Sequence, residues 1–426
     1  MIRTFGLLTF LSIVFLAGCA ENPVTGESQF SLISPAQEVE IGKKNYGPYQ
    51  QQQGGRYIVD PDLTLYVNQI GQKLAKVSDR PNLPYEFVVL NNDVPNAWAL
   101  PGGKIAVNRG LLWMLEDEAQ LAAVLSHEIV HAAAKHGATQ MTQATLLGIG
   151  VSAAGMASQN SEYGQLISMG AGLGAGLYQA RYGRQQELDS DFYGINYMVK
   201  AGYDPQAAVE LQEKFVELSK GQQSNWMSDL FASHPPSQER VDKNRQKAQS
   251  LGKGVRNKEL YQAAIKQIRK DRAAYDLNQK ARKALADNNI NSALALTHQA
   301  IKMQGNEALF HITRGQVYMA QKQFDNSAKN FSKAVALNPE YFLGYLGLGL
   351  SQLEQKSSTN AKSNLEKSTQ LLPTPIAAFH LGELELAAGN RDKAIGYFQF
   401  AAQDQGQIGQ AAKQQLAQLQ PATTAQ

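Results

Sequence analysis

Small residues recur at a nearly constant interval in the last third of this 426-residue chain. The interval is 34, 34 and then 33 residues, and it separates Ala281, Gly315, Gly349 and Gly382. Large apolar residues follow the last three by sixteen positions, and alanines follow the first and the last two by twelve: Phe331, Leu365, Phe398, Ala293, Ala361 and Ala394. Pro339 and Pro373 also lie 34 residues apart. Such a repeat constrains the fold, because a unit this short buries a core only by stacking on its neighbours.

The repeat predicts pairs of antiparallel helices. Small residues at the recurring positions allow two helices to approach closely, and the large apolar residue fills the groove between neighbouring units. This period and pattern are those of tetratricopeptide repeats, so residues 273–420 are predicted to form an α-solenoid with a concave protein-binding surface. The first unit is degenerate, since Thr297 stands where a large apolar residue is expected. An ordinary helical bundle is the alternative.

The segment His127-Glu128-Ile129-Val130-His131 matches H-E-x-x-H. Residues four apart share a face of a helix, so both imidazoles can bind one metal ion. Glu128 would hold the attacking water and accept its proton, while the metal polarises the scissile carbonyl. Buried histidines without a metal are the alternative, although burying unpartnered polar groups in so apolar a helix is costly. The ligand types favour one Zn²⁺ per chain.

A third metal ligand is predicted on a second helix. Glu187 and Asp191 are four residues apart, so both can face the histidine helix. Glu187 would complete a site of two histidines and one glutamate, and Asp191 would bind the outer nitrogen of a ligand histidine. A solvated acidic face is the alternative for this pair. His136 lies off the ligand face of a continuous helix and is interpreted as structural.

Other segments predict a mostly helical domain with a small sheet. Helices are expected from about residue 35, over 61–80 and over 116–140, and strands over 85–90 and 104–107. The Gly/Ala-rich stretch 146–177 is interpreted as packed, buried helices, with membrane insertion as the alternative.

The N-terminus predicts an exported, anchored protein. Arg3 precedes an apolar stretch over residues 5–15, which is too short to span a bilayer and is typical of a signal peptide. Leu16-Ala17-Gly18-Cys19 resembles a bacterial lipobox, so residues 1–18 are predicted to be a lipoprotein signal peptide and Cys19 to be lipidated. Ala20 then favours the outer membrane, with the protein facing the periplasm. An ordinary cleaved signal is the alternative.

Composition narrows the class of protein. The formal net charge is +3 and no basic run is dense enough for nucleic acid, so that partner is excluded. The hydrophobic fraction of 43% and the length favour a globular protein of two or three domains. Cys19 is the only cysteine, which excludes an intramolecular disulfide. The polar, turn-rich residues 19–34 are predicted to be a tether.

Four motifs resemble the HtpX-like and prenyl-protease-like zinc metallopeptidases over roughly residues 35–250. They are, in chain order, Asn96-Ala97-Trp98-Ala99-Leu100-Pro101-Gly102-Gly103 with Gly110-Leu111-Leu112, the H-E-x-x-H segment, the stretch from Glu187 to Asp191, and Ser233-His234-Pro235-Pro236 with Arg240. The resemblance implies that Asn96, Ala97, Trp98 and Ala99 form a strand edge on which extended substrate lies.

His234 has two predicted roles and one alternative. It would stabilise the oxyanion or plug the open metal position, and a packing histidine is the alternative. Arg240 would pair with an acidic group next to the ligands.

These features predict an α+β, mostly α protein. A zinc metallopeptidase domain (35–250) is followed by a linker or bridging helix (251–272) and the repeats (273–420). The predicted function is a zinc-dependent endopeptidase of the bacterial periplasm that cleaves misfolded or stalled outer-membrane proteins. The repeats would recruit these clients and the envelope assembly machinery. A chaperone or assembly scaffold with a latent metal site is the alternative, and a small-molecule zinc hydrolase fits the repeats poorly.

Overall fold

The computed structural model describes residues 19–146, 182–221 and 227–419. These residues fall into two compact units. Within the described ranges, the first unit extends to residue 50 and then covers residues 60–268, while the second comprises 51–59 and 269–419. Helices dominate both units and a small sheet lies in the first, so the predicted fold class is confirmed.

The first unit contains a hairpin and a three-stranded sheet. The hairpin pairs β1 (Cys19–Glu21) with β2 (Ser28–Phe30) in antiparallel orientation. In the sheet, β3 (Glu86–Leu90) pairs in parallel with the central strand β5 (Lys104–Asn108), and β5 pairs antiparallel with β4 (Ala97–Leu100). Both strands predicted from the sequence, over 85–90 and 104–107, are confirmed, and β4 is an edge strand of this sheet.

The helices that lie wholly or mainly in the first unit are α1 (Pro35–Gln52), α2 (Pro61–Ala75), α3 (Arg109–Leu112), α4 (Glu118–Ala133), α5 (His136–Leu146), α6 (Arg184–Lys200), α7 (Gln206–Lys220), α8 (Ser228–Ser233), α9 (Gln238–Gln249) and α10 (Lys258–Ala264). The H-E-x-x-H segment lies in α4. Its N-cap is Asp117, whose carboxylate accepts a hydrogen bond from Gln120 N at 2.9 Å. Almost every side chain of α4 is buried, so the polar groups that it carries are held in a fixed, largely dry environment.

The histidine helix ends earlier than predicted. The sequence predicts one helix over 116–140, but α4 ends at Ala133 and α5 begins at His136. The break lies at Lys135, whose φ of 60° falls in the left-handed region and interrupts the α-helical path. His136 therefore belongs to a separate helix. Its position relative to His131 does not follow from the periodicity of one continuous helix.

The second unit contains the predicted helical pairs. Its helices are α11 (Lys266–Ala286), α12 (Ile290–Met303), α13 (Ala308–Ala320), α14 (Phe324–Leu337), α15 (Phe342–Glu354), α16 (Ser358–Leu371), α17 (Pro375–Ala387), α18 (Arg391–Ala401) and α19 (Gln407–Leu419). A Cβ atom placed on Gly315 would lie 2.9 Å from the ring of Phe331, and one on Gly382 would lie 2.7 Å from that of Phe398. The small residue and the large one sixteen positions later are therefore complementary in shape, as the repeat predicts.

Several predicted segments differ from expectation or lie outside the described residues. The predicted signal peptide and nearly all of the Gly/Ala-rich stretch 146–177 lie outside them. The predicted tether contains the β1–β2 hairpin, and Leu32 N donates a hydrogen bond to Thr142 Oγ1 of α5 at 3.1 Å. The predicted linker contains α10, whose buried Tyr261 donates a hydrogen bond to Leu112 O. Within the described ranges, every helix is too short or too polar to cross a membrane.

Candidate metal centre

Two helices bring the predicted ligands together. His127 and His131 lie one turn apart on α4, and their Nε2 atoms are 3.0 Å apart. Glu187 comes from the first turn of α6, and its Oε1 lies 3.3 Å from His131 Nε2 while its Oε2 lies 3.5 Å from His127 Nε2. The structure thus brings the two histidines of α4 and an acidic residue of a second helix together.

His234 is the fourth donor of this cluster. It follows the short helix α8, and its Nδ1 lies 3.1 Å from Glu187 Oε1 and 3.3 Å from His127 Nε2. The residue is only 7% exposed. The donor atoms of the two α4 histidines, Glu187 and His234 all lie within 4.8 Å of one another.

Asp191 and Arg240 support the ligands from behind. Asp191 Oδ1 lies 2.9 Å from His127 Nδ1, the ring nitrogen that faces away from the cluster. Arg240 donates to both Asp191 oxygens, from Nε at 2.7 Å and from Nη2 at 2.8 Å, and its Nη1 lies 2.7 Å from Glu187 Oε2. Burial opposes ionisation of Asp191, but the guanidinium outweighs it and lowers the pKa of this carboxyl. One arginine therefore holds the carboxylates of Glu187 and Asp191 in place.

Glu128 is buried next to the cluster without a full set of partners. Its Oε1 lies 3.5 Å from His234 Nε2. Glu128 Oε2 and His234 Nε2 are both enclosed and have no hydrogen-bond partner among the residues that the structure describes. Burial raises the pKa of Glu128, and the neighbouring histidines only partly oppose it. This carboxyl is therefore suited to exchanging a proton rather than to forming a permanent ion pair.

The donor set fits a divalent metal of the zinc type. Ligands at 2.0–2.1 Å around one tetrahedral centre lie about 3.3 Å apart, close to the 3.0 to 3.5 Å between the donor atoms here. The local field also favours a cation. Burial lowers the pKa of His127, but Glu187 and Asp191 outweigh burial and raise it to about 10. Burial has the opposite net effect on His131 and lowers its pKa, so this imidazole is neutral and able to bind a metal ion.

Two further residues contact His131 and were not assigned to the site from sequence. His136 Nδ1 lies 2.8 Å from His131 Nδ1, so it fixes the orientation of the His131 ring from the side opposite the ligand cluster. The buried ring of Tyr182 stacks on the His131 ring, with centroids 3.6 Å apart. The turn at Lys135 carries His136 to this position, and no local sequence pattern marks such a turn. Tyr182 is distant in sequence and belongs to no motif.

The predicted substrate edge lies on β4, one of the two edge strands of the three-stranded sheet. Asn108 N donates to Asn96 O at 2.8 Å, so in the antiparallel register the backbone groups of Trp98 and Leu100 also face β5. By the same alternation, the N–H and C=O groups of Ala97 and Ala99 face away from β5. The Tyr182 hydroxyl lies 3.5 Å from Ala99 O on that outer side.

Comparison with known proteins assigns a family to the first unit. Residues 61–248 match Peptidase family M48, and residues 315–356 match the TPR repeat. The beta-barrel assembly-enhancing protease of Escherichia coli (strain K12) is 30% identical over 236 residues, which cover 54% of this chain and 47% of that protein. The mitochondrial metalloendopeptidase OMA1 of Schizosaccharomyces pombe is 31% identical over 225 residues, 52% of this chain and 64% of that protein.

The chain spans about half the length of the bacterial relatives that it matches. Matches to a peptidase family, to a protease and to a metalloendopeptidase agree with the His/Glu cluster in supporting a metalloendopeptidase. Residues 61–248 are therefore a peptidase family M48 domain, followed in the same chain by tetratricopeptide repeats.

Proposed function

We propose that this chain is a zinc-dependent endopeptidase with one Zn²⁺ held by His127, His131 and Glu187. The observation that carries the proposal is the convergence of these three side chains and His234 next to the buried, incompletely partnered carboxylate of Glu128. A structural cation site would need no such group. A hydrolytic site needs one, because a water must lose a proton as it attacks.

The side chains of this site have separate tasks in peptide-bond hydrolysis. Zinc, when bound, supplies Lewis acidity that polarises the scissile carbonyl. Glu128 accepts the proton of the attacking water and then transfers it to the leaving amine, which its raised pKa favours. Asp191 fixes the orientation of the His127 ring, and Arg240 fixes Asp191. His136 orients the ring of His131 from its outer side.

The free edge of β4 supports an extended substrate. Ala97 and Ala99 direct backbone donors and acceptors outward, and β4 packs against α4, which carries the catalytic groups. A peptide added as a further strand would satisfy these groups and lie along the histidine helix. Asn96 and Trp98, which the sequence also assigns to this edge, direct their backbone groups toward β5 instead.

We further propose an envelope location and protein clients. The lipobox-like segment supports a signal peptide over residues 1–18 and lipidation at Cys19, and Ala20 supports outer-membrane retention on the periplasmic side. A relative named for beta-barrel assembly supports a role in quality control of outer-membrane proteins. The repeats support recruitment of those clients and of assembly machinery. The same proposal assigns residues 35–250 to the peptidase domain, 251–272 to a linker and 273–420 to the repeat domain.

Replacement of Glu128 by Gln tests the mechanism. Glu128→Gln is expected to lower proteolysis of an unfolded test protein by at least about a hundredfold, because the proton acceptor is lost. Zinc content, measured by inductively coupled plasma mass spectrometry, should remain one per chain. The matched control is Glu213→Gln, an exposed residue of α7. Unchanged proteolysis in Glu128→Gln and in the chelated protein would contradict the mechanism.

The burial of His234 favours a second candidate function. In this alternative the metal site is latent and the chain acts as a chaperone or assembly scaffold. His234 stands against Glu187 and His127 where a substrate carbonyl would need access. His234→Ala separates the two roles of this residue. Faster proteolysis would identify it as a plug, and slower proteolysis with zinc retained would identify it as an oxyanion donor. If neither protein cleaves, while envelope assembly still requires the repeats, the scaffold reading holds.

A further inference from the structure

Tyr182 lies between a candidate metal ligand and the outward side of β4. Its ring stacks on the ring of His131, with centroids 3.6 Å apart and planes inclined by 20°. Its hydroxyl lies 3.5 Å from Ala99 O, a carbonyl that faces away from β5. We propose that this hydroxyl is a catalytic group, which exchanges Ala99 O for the carbonyl oxygen of the scissile bond when a substrate strand binds. The inference rests on the proposed peptidase function and assigns a further residue to its mechanism.

The hydroxyl of Tyr182 is enclosed but only weakly bound. The residue is 8% exposed, and the contact with Ala99 O is longer than the roughly 2.5–3.0 Å that is usual between a hydroxyl and an oxygen acceptor. Among the residues that the structure describes, Ala99 O is the hydrogen-bond partner of this hydroxyl. A buried donor with one long contact gains free energy from a stronger acceptor, and a carbonyl oxygen that becomes negative is such an acceptor.

The surroundings of Tyr182 keep its hydroxyl protonated and close to the reacting groups. Burial is the main cause that raises the pKa of Tyr182, and the charges of Glu128 and Glu187 raise it further. The phenol therefore remains a hydrogen-bond donor at neutral pH. The centroid of its ring lies 5.4 Å from that of His234, so Tyr182 adjoins both the ligand cluster and the carboxyl group of Glu128.

A substrate strand on β4 would displace this hydroxyl from Ala99 O. In an added strand, N–H groups of the substrate donate to the outward C=O groups of the edge strand, and Ala99 O is one of these acceptors. The exchange leaves the hydroxyl without an acceptor when the substrate carbonyl arrives. Because the ring is held by its stack on His131, the hydroxyl stays close to the candidate ligands throughout.

The hydroxyl has one task in the reaction. As the oxygen of the attacking water bonds to the carbonyl carbon, the π electron pair moves to the carbonyl oxygen, and Glu128 takes the water proton. Tyr182 donates a hydrogen bond to that negative oxygen and keeps its own proton. When the C–N bond breaks, the electron pair returns to re-form the carbonyl, and the proton on Glu128 passes to the leaving amine.

Tyr182→Phe removes the hydroxyl and retains the ring. In the full chain loaded with zinc, kcat for a fluorogenic peptide should fall by about a hundredfold, as is typical for the loss of one donor to an oxyanion. KM should stay within about twofold, because the lost contact forms only in the transition state. The matched control is Tyr193→Phe, which removes a hydroxyl from α6 outside the ligand cluster and should keep the wild-type kcat. An unchanged or higher kcat in Tyr182→Phe would overturn the proposal.

Zinc affinity separates the task of the hydroxyl from that of the ring. Tyr182→Phe should keep the wild-type affinity, whereas Tyr182→Leu, which lacks the stack on His131, should lose a few-fold to about tenfold, the scale of aromatic contacts. Competition titration with a chelator measures both variants. If Tyr182→Phe loses as much affinity as Tyr182→Leu, the hydroxyl acts on the ligands rather than on the substrate, and the assignment is wrong.

Ester substitution in the substrate tests the exchange at Ala99 O. Each N–H of the peptide, except that of the scissile bond, is replaced in turn by an ester oxygen, which removes one donor. At the position that pairs with Ala99, the wild type should lose more kcat/KM than Tyr182→Phe, because the hydroxyl then stays on Ala99 O. The two changes should therefore be non-additive by about fivefold or more. Additive losses at every position would overturn the exchange.

A phosphinic peptide distinguishes failure of this inference from failure of the proposed function. This probe carries a negative oxygen on tetrahedral phosphorus in place of the attacked carbonyl, and its binding requires no turnover. Calorimetry on the zinc-loaded proteins should show binding to the wild type at least about tenfold tighter than to Tyr182→Phe. Such a difference supports the role of the hydroxyl even if the wild type cleaves no peptide. Equal affinity of the two proteins overturns it, even if proteolysis depends on Glu128.

Discussion

At the scale of single residues, Asp191 determines the tautomer and the orientation of the His127 ring. One of its oxygens lies 2.9 Å from His127 Nδ1, and both accept hydrogen bonds from Arg240. The carboxylate cannot rotate away without breaking the bidentate pair, so it holds a proton on Nδ1 and leaves Nε2 available to the ligand cluster. A ligand histidine is thereby fixed in one tautomer and one orientation.

The pKa of His127 predicts how zinc affinity depends on pH. In the metal-free protein this pKa is raised to about 10, so its contribution to stability is complete below about 6.5 and is lost as pH rises through about 10. Zinc must displace the Nε2 proton, so the apparent affinity should increase about tenfold per pH unit between about pH 7 and pH 9. Competition titration, corrected for the titration of the chelator, measures it. A constant affinity over this range would refute the assignment.

At the scale of elements, the turn between α4 and α5 positions the outer partner of His131. Lys135 adopts a φ of 60°, a conformation that costs a non-glycine residue about 1–2 kcal/mol. That conformation places His136 Nδ1 2.8 Å from His131 Nδ1. The strained residue, Lys135, therefore lies in the turn that directs His136 toward the candidate ligand His131.

Two substitutions at Lys135 test this turn. Lys135→Gly accepts a positive φ, so it should keep zinc affinity and should not lower the melting temperature. Lys135→Pro fixes φ near −65°, which would separate His136 from His131 and lower zinc affinity about 10- to 100-fold. Calorimetry and zinc competition measure both effects. Full zinc affinity in a folded Lys135→Pro protein would show that His136 does not orient the ligand.

The tight helix contact in the repeats gives a second prediction at this scale. Gly382→Ala should destabilise the second unit by about 1–3 kcal/mol, because its Cβ would lie 2.7 Å from Phe398 and overpack the contact. Gly305→Ala is the control, since the nearest atom to its Cβ lies 3.5 Å away, at ordinary contact distance. Urea unfolding followed by circular dichroism measures both. Equal effects of the two substitutions would contradict the packing argument.

These elements also show what the sequence could and could not predict. The positions of His127, His131, Glu187 and Asp191 follow from helical periodicity, which is local and independent of tertiary context. The turn at Lys135 could not be predicted in this way, because lysine has no preference for the left-handed backbone conformation that it adopts here. Tyr182 contacts His131 across about fifty residues of sequence. The hairpin within the predicted tether was missed because its strands are only three residues long.

At the scale of the whole molecule, the candidate metal site and the tight helix contacts of the repeats lie in different units. The candidate ligands all lie in the first unit, whereas complementary glycine and aromatic residues stabilise the second. The loss of metal should therefore have a local effect.

Hydrogen exchange with and without a chelator tests this separation. Removal of zinc should accelerate amide exchange in α4, in α6 and in the segment around His234, because their buried charges then face one another uncompensated. Exchange in α13 to α18 should not change. Readdition of zinc should restore protection, and Glu187→Gln should resemble the chelated wild type. Uniform deprotection of both units would indicate that the metal stabilises the chain globally.

The ligand spacing along the chain also has a consequence for synthesis. His127 and His131 precede Glu187 by more than fifty residues, and the arginine that holds Glu187 comes later still, at position 240. A nascent chain that ends before α6 holds two imidazoles and no acidic ligand, which is too few donors to retain a catalytic zinc. The candidate metal site and its supporting arginine are therefore complete only after more than half of the polypeptide has been made.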